Sequence, residues 1–392
     1  MSVQLNFEAR SGYTSLGLFA GAGGLDLGFE AAGFEHTEAN DILPFAAATL
    51  RRNRPNWHVV EADVRSYTPS FRKGLDVLLA GFPCQGFSLG GKRDPNDARN
   101  TLYREVIRIA KAMQPRVVVM ENVLNLRTMS HPQTGRPFSE QIVAELADIG
   151  YTTRSAFFRV SEYGVPQTRR RFVFVAFRGN FNSHFDFPTP QACTPIGPFL
   201  QDVVGDEGLK LPNHDPHWGF LSNVHTTLGG QVSSADPIVP IRISRTASDG
   251  NPIRSFSDPF PAIDTATVWG FAQGNVSAQR VEKNRSIEKF IRDPSADVTL
   301  WRIQASRMRT FTAREYARLQ TFPDDWVFSG SNKREFQMQI GNAVPVAFAK
   351  RIAESVRKAL EAQDNRRNGV RPRFLSEKLA QRPSFVASVP PG

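Results

Sequence analysis

The sequence predicts a doubly wound, mostly parallel α/β sheet carrying a smaller, irregular lobe. Strand-like and helix-like segments alternate over the first 180 residues, and a glycine-rich turn joins the first pair. Near Phe181 the composition changes character.

The elements follow in order. Thr14–Phe19 is a short apolar run ending in Ala20-Gly21-Ala22-Gly23-Gly24. Leu25, Leu27, Phe29 and Ala32 then continue a helical pattern closed by Gly33. Asp76–Ala80 and Arg116–Met120 have the continuous apolar character of strands buried on both faces. Between them, Thr101–Met113 reads as a helix with Ile107 and Ala110 at helical spacing. Ser139 is positioned to cap a further helix whose Ile142, Val143, Leu146 and Ile149 form one stripe, stopped at Gly150. Arg171–Phe177 is another strand. From Asn182 to about Met308 the chain is rich in Pro, Ser, Thr, Asn and Gly, as loops around a small sheet would be. Thr312-Ala313-Arg314-Glu315 is a capping box opening a helix through Leu319. Pro345 suits the first position of a last helix running toward Ala362.

Charge and composition narrow the class. There are 48 Lys and Arg against 38 Asp and Glu, a formal net charge of +10. The excess is local: ten basic against four acidic residues from Lys350 to Arg382, and eleven against seven from Arg242 to Arg309. Such patches suit a phosphate backbone, although a solvated, frayed tail is the plainer reading of the C-terminal one. Runs such as Val117–Met120 fall far short of the ~20 apolar residues that span a bilayer. MSVQLNFEAR lacks the basic-then-apolar layout of a signal peptide. Two cysteines exclude a disulfide framework and zinc-finger spacing, and point to a reduced, intracellular compartment.

Four segments carry candidate chemistry. The turn Phe19–Gly24 lets backbone pass close to a ligand at a helix N-terminus, and Asp41 lies about where such folds hold ribose hydroxyls. NAD, FAD and S-adenosyl-L-methionine sites share that pattern. In Gly81-Phe82-Pro83-Cys84-Gln85-Gly86-Phe87-Ser88, Cys84 stands just past a strand end, where a thiol near cations ionises and acts as nucleophile. The alternative is a small buried hydrophobe. Glu121, in Glu121-Asn122-Val123, emerges on the same sheet edge as an acid or as a capping residue. In Gln167-Thr168-Arg169-Arg170-Arg171, an extended backbone projects Gln167, Arg169 and Arg171 together and Arg170 away, a face suited to an anion or a base. His214-Asp215-Pro216-His217 is the one metal-like pair, without further ligands, and no metal is expected.

Taken in order, these segments resemble the DNA (cytosine-5)-methyltransferases of bacterial restriction–modification type. The resemblance continues through Asp63-Val64, Arg314–Asp324 and Gln339–Pro345, covering about 15–180 and 309–360. It implies a Rossmann-like methyltransferase sheet, S-adenosyl-L-methionine as cofactor, and methylation at C5 of a cytosine flipped out of duplex DNA through a covalent Cys84–C6 adduct. Cys84, Glu121, Arg169 and Arg171 would be catalytic. Glu121 would meet N3, and the two arginines the pyrimidine carbonyl and phosphate. Phe19 would stack on adenine and Asp63 meet its amino group. Gly21, Gly23, Asp41, Ile42, Pro83, Leu102, Asn342 and Val344 would complete the cofactor site.

The resemblance divides the chain into a catalytic lobe (1–182), a target-recognition lobe (183–335), a segment returning to the catalytic lobe (336–362) and a basic mobile tail (363–392). Arg242, Arg245, Arg254, Arg280 and Arg285 are its candidates for DNA contact. It further implies a monomer working in the bacterial cytoplasm at the nucleoid, beside a cognate restriction endonuclease it need not touch, and no membrane. Two positions depart from the family pattern: Asp41 replaces a usual Glu, with Glu38 near enough in sequence to assist, and Ala262 replaces a usual Thr in Pro261-Ala262-Ile263-Asp264. A tRNA-methylating enzyme, a silent DNA-binding protein and an NAD-dependent dehydrogenase are the competing readings. The last leaves Gly81–Ser88 unexplained.

Overall fold

A computed structural model describes residues 3–70, 74–83, 94–179, 184–204, 210–215, 224–228, 238–242, 254–263, 265, 268–273, 277–281, 300–305 and 307–367. Cys84 lies outside this set, as do Arg245, Asp264, His217, Arg285 and residues 368–392.

Seven strands build the main sheet: β1 (Thr14–Leu18), β2 (Glu35–Asp41), β3 (His58–Glu61), β4 (Val77–Ala80), β5 (Val117–Asn122), β6 (Tyr151–Arg159) and β7 (Arg170–Arg178). Their spatial order is β3-β2-β1-β4-β5-β7-β6. The first five run parallel, and β7 is inserted antiparallel to both neighbours. Strand order therefore reverses between β1 and β4, and such a switch point opens a crevice at the carboxyl ends of the strands. The two runs read as doubly buried strands are β4 and β5, and every residue in them is buried.

Helices cover both faces. On one, α3 (Tyr103–Met113) and α4 (Phe138–Asp148) bury Val106, Ile109, Ile142 and Leu146 against Leu78, Val118 and Phe174. On the other, α1 (Gly24–Ala31) lies along the long final helix α8 (Val346–Arg367), where Phe29, Phe348, Ile352 and Val356 pack on Val77, Val119 and Val175. Outside β2, α2 (Pro44–Asn53) leads into β3.

The smaller lobe holds two three-stranded antiparallel sheets. One has the order β13 (Arg307–Thr310), β10 (Trp269–Gln273), β9 (Ile238–Arg242). The other is β11 (Ser277–Val281), β12 (Leu300–Gln304), β8 (Val224–Leu228). Helices α5 (Gly197–Val204), α6 (Ala313–Leu319) and α7 (Lys333–Asn342) bind it to the main body. An aromatic cluster of Phe260, Trp269, Phe271, Phe311, Phe322 and Trp326 joins Ala22, Leu27 and Leu50 in one core. No helix among the described residues is long and apolar enough to cross a membrane.

Several expectations shift. Helix α4 starts one residue before Ser139, which is buried inside it and caps nothing; the cap position is Pro137, whose ring fixes φ at −53°. The last helix outruns both Ala362 and the boundary at 363. Asp364 there pairs with Arg116, which also holds Asp76, and accepts a hydrogen bond from Tyr13 Oη at 2.9 Å. These partners hold the helix end onto the base of the sheet. The capping box is realised, with Thr312 Oγ1 accepting from Glu315 N and Glu315 Oε2 from Thr312 N. His214 bonds Thr312 Oγ1 at 3.0 Å. Arg242 is fully buried, which removes it from the candidates for DNA contact.

Glycine lets α1 approach α8. A Cβ at Gly28 would meet the Ala349 methyl and come within 2.7 Å of Lys350 N. Replacing a mid-helix Gly by Ala ordinarily stabilises by about 1 kcal/mol. Gly28→Ala is expected to do the reverse, costing about 1–3 kcal/mol by overpacking. A lowered urea midpoint checks this; an unchanged or raised one refutes it.

Candidate active site

The crevice at the switch point holds a cavity of about 410 Å³. It is walled by the ends of β1 (Leu18–Gly21), β2 (Asn40–Leu43), β4 (Gly81–Pro83) and β5 (Glu121–Val123), by 62–65 after β3, and by Leu102 before α3. Met338, Gln339 and Asn342–Val344, from the C-terminal part of the chain, close it.

The turn after β1 is held in conformations that glycine favours. Gly21 and Gly23 have φ of 55° and 83°, and Gly23 N–H donates to Ala20 O at 2.8 Å. Phe19, which lines the cavity, also sits at φ 54°, an uncommon conformation for a side chain of its size. Gly23 shapes the turn as the cap residue of α1 without lining the cavity; a Cβ on it would strike Leu50. Asp41 Oδ2 accepts from Gly21 N at 2.7 Å and Oδ1 from Leu43 N at 2.8 Å. Burial raises its pKa, against the pull of those N–H groups. Each oxygen can still accept a further bond. Glu38 does not assist: it is buried beneath, bound to Tyr67 Oη and Ser70. Asp63 forms an ion pair with Arg65 at 2.5 Å, and those hydrogen bonds lower its pKa to about 2, leaving an ionised acceptor at the cavity wall. Ile42 exposes 58% of its surface at the rim.

These residues fit S-adenosyl-L-methionine. Phe19, Ile42, Pro83, Leu102 and Val344 offer apolar walls to a purine. Asp41 and Asp63 offer acceptors to hydroxyl and amino groups, and the Gly21–Gly24 turn leaves main chain open beside a helix start.

Glu121 and Arg171 line the same cavity. They meet diagonally across the β5–β7 pairing, where Glu121 lies opposite Val173, with Arg171 Nε in ion-pair contact with Glu121 Oε1. Burial raises the Glu121 pKa, and the Arg171 charge and hydrogen bond pull it back part way. Beside it, Asn122 Nδ2 donates to Phe82 O at 3.1 Å and Asn122 Oδ1 accepts from Val123 N. The end of β5 thus grips the loop two residues before Cys84. The sequence names Asn122 without assigning it this task; a short amide directly after the candidate acid is the available signal.

The alternation at 167–171 is observed: Gln167, Arg169 and Arg171 are buried, Thr168 and Arg170 exposed. The three buried side chains nevertheless serve different places. Arg171 reaches the cavity, whereas Arg169 Nη1 donates to Ile263 O at 2.8 Å and Gly341 O at 2.7 Å, and does not line it. Sequence reading also missed Asp26. Burial raises its pKa to about 7, it lines the cavity floor, and its Oδ1 lies 3.4 Å from His36 Nε2. Nothing local in the sequence pairs these two.

The family profile of C-5 cytosine-specific DNA methylases matches residues 13–358. Type II methyltransferase M.Eco47II of Escherichia coli is 36% identical over 358 residues, covering 88% of this chain and 78% of that one. Type II methyltransferase M.NgoMIV of Neisseria gonorrhoeae is 30% identical over 367 residues, covering 90% and 99%. Among solved structures, a putative DNA modification methyltransferase encoded within an E. coli prophage superposes with a TM-score of 0.56 at 20% identity, over 89% of this chain and 99% of that one. DNMT2 of Spodoptera frugiperda does so at 0.53 and 15%, over 88% and 99%. At those identities the structures speak to the fold alone. The family match and the curated relatives carry the assignment: this chain belongs to the C-5 cytosine-specific DNA methylases, enzymes that take their methyl group from S-adenosyl-L-methionine.

Proposed function

We propose that the chain is the modification methyltransferase of a Type II restriction–modification system. In this reading it works as a monomer in the bacterial cytoplasm on duplex DNA, protecting one short sequence from a cognate endonuclease. The observation carrying this reading is the shared cavity, in which a buried acid and arginine, Glu121 and Arg171, stand beside the walls suited to the cofactor. Residues 183–335 serve as the target-recognition lobe, and 336–362 return to wall the pocket.

A cytosine ring is unreachable within the stack, so it is turned out into the cavity. Cys84, as thiolate, adds to C6, and Arg171 stabilises that ionised state and the pyrimidine carbonyl. Glu121, whose burial favours the protonated form against the pull of Arg171, donates to N3 and absorbs the charge that develops on the ring. When bound, S-adenosyl-L-methionine would supply an electrophilic methyl carbon for C5 of a ring activated in this way, leaving as S-adenosylhomocysteine. The C5 proton then passes to water, its electron pair re-forms the C5–C6 double bond and expels Cys84 as thiolate, and N3 returns its proton to Glu121.

Two outcomes test this reading. Bisulfite sequencing of plasmid DNA from cells expressing the chain should show protected cytosines confined to one motif and none with Cys84→Ala. Modification by the variant, or none by the parent, would defeat it. The pH dependence tests the acid separately. A carboxyl whose pKa is raised carries its proton below that pKa and loses it as pH rises through it. The rate should therefore fall on the alkaline side. Glu121→Gln, which keeps an N–H donor and cannot ionise, should lower kcat by about 10²–10⁴-fold and flatten that limb. A limb that persists unchanged in the variant assigns the titration elsewhere.

A further inference from the structure

Gln167 and Arg169 lie on the approach to β7, at the meeting point of three parts of the chain. One is the target-lobe segment 260–263, which docks there through main chain: Phe260 N donates to Pro166 O at 2.8 Å, and Thr168 N to Phe260 O at 2.7 Å. Another is the turn after α6, and the third is 340–344, whose last three residues wall the cofactor cavity.

The two side chains bind all three. Gln167 Oε1 accepts from Ile263 N at 3.3 Å, while its Nε2 donates to Leu319 O at 2.8 Å and Gln320 Oε1 at 2.9 Å. Gln320 Nε2 in turn donates to Ile340 O at 2.6 Å. Arg169 makes the shortest link, since its single Nη1 serves both Ile263 O and Gly341 O. Gln167 is fully buried and Arg169 exposes 4% of its surface, so water does not stand in for a lost partner.

Resting on the functional reading above, we propose that Arg169, braced by Gln167, is a positioning residue that couples the seating of the target-recognition lobe to closure of the cofactor-pocket wall. Movement of Gly341 as the wall closes displaces one of two carbonyls sharing a donor, and the other belongs to the root of the lobe. The coupling runs equally in both directions, because linkage between two binding events is reciprocal. Arg169 is therefore separated in task from Arg171, two residues on along the same face, which stays with Glu121.

Amide hydrogen exchange on the full chain, followed by mass spectrometry with and without S-adenosylmethionine, tests the proposal. In the parent protein the cofactor should slow exchange in 338–347, which walls the cavity, and also in 258–263, whose residues do not line it. In Arg169→Gln both segments should exchange about tenfold faster without cofactor, the order of one charge-assisted hydrogen bond. The cofactor should then protect 338–347 alone. Arg169→Lys, which keeps the charge and fewer directed donors, serves if the first variant does not fold. Protection confined to 338–347 in the parent, or a variant that loosens 258–263 only, overturns the coupling. So does unchanged exchange with a salt slope of DNA binding reduced by about 1, the mark of a direct phosphate contact. If S-adenosylmethionine protects no segment of the parent, the methyltransferase reading fails. The coupling is then decided by whether the two segments loosen together in the variant.

Discussion

The site depends on a close contact between two helices at opposite ends of the chain. Val344 O occupies the place a Cβ on Gly24 would take, and Ala349 fills the equivalent place beside Gly28. Because no side chain intervenes, the end of α7 and the residues after it reach the glycine turn, and Asn342, Ala343 and Val344 become cavity wall. Joining segments some three hundred residues apart costs little more than joining nearer ones, since closure entropy grows only with the logarithm of loop length. Phe348, Ile352, Val356 and Leu360, all buried, offset it at about 1.5–3 kcal/mol each. The closing wall of the pocket is therefore held in place by packing that lies outside the cavity.

The second constraint is how the protein buries positive charge. Arg314 is fully buried and gives its guanidinium to Pro212 O at 2.9 Å, Pro323 O at 2.8 Å and Trp326 O. Arg309 pairs with the buried Glu315, whose other task is the capping box, and lies 4.9 Å from the Phe271 ring centroid. Arg318 holds Asp324 and Asp202. A planar group with five donors can satisfy several carbonyls at fixed angles, which a lysine cannot do. Glu121 stands in contrast: one arginine meets it, burial dominates, and its acidity is weakened at the cavity wall. Similar residue types yield fixed structure in the first setting and a titratable group in the second.

What the sequence disclosed follows from this difference. Features decided by near neighbours were legible: the glycine turn, the doubly buried β4 and β5, the Thr312–Glu315 box, and the alternation of Gln167, Arg169 and Arg171. Features decided by distant partners were not. Arg242 reads as a surface cation until the fold buries it. Arg169 reads as a ligand contact until Ile263 and Gly341 are brought to it. Ser139 has the chemistry of a cap, but Pro137 ends the preceding bridge to Ser130 and starts the helix earlier. The backbone of Phe19 is fixed by a turn whose shape glycine neighbours permit and no periodicity announces. The reach of α8 to Arg367 depends on Arg116, far back in the chain.

The reversal of β7 sets a minimum length on a stretch that composition marks as mere loop. Running antiparallel to β5, β7 starts at the cavity edge and ends at the opposite edge of the sheet. Phe260 nevertheless pairs with Gln167, back at the starting edge. The chain must therefore climb the full length of a nine-residue strand, roughly 30 Å at ~3.3 Å per residue. Residues 185–196 make that climb along β6 and the turn that follows it: Phe185 O receives Arg154, Phe187 packs on Phe158, Gln191 N donates to Glu162 O and Thr194 N to Ser161 O. Shortening this strap below about nine extended residues would pull the lobe off its seat while leaving every cavity residue unaltered.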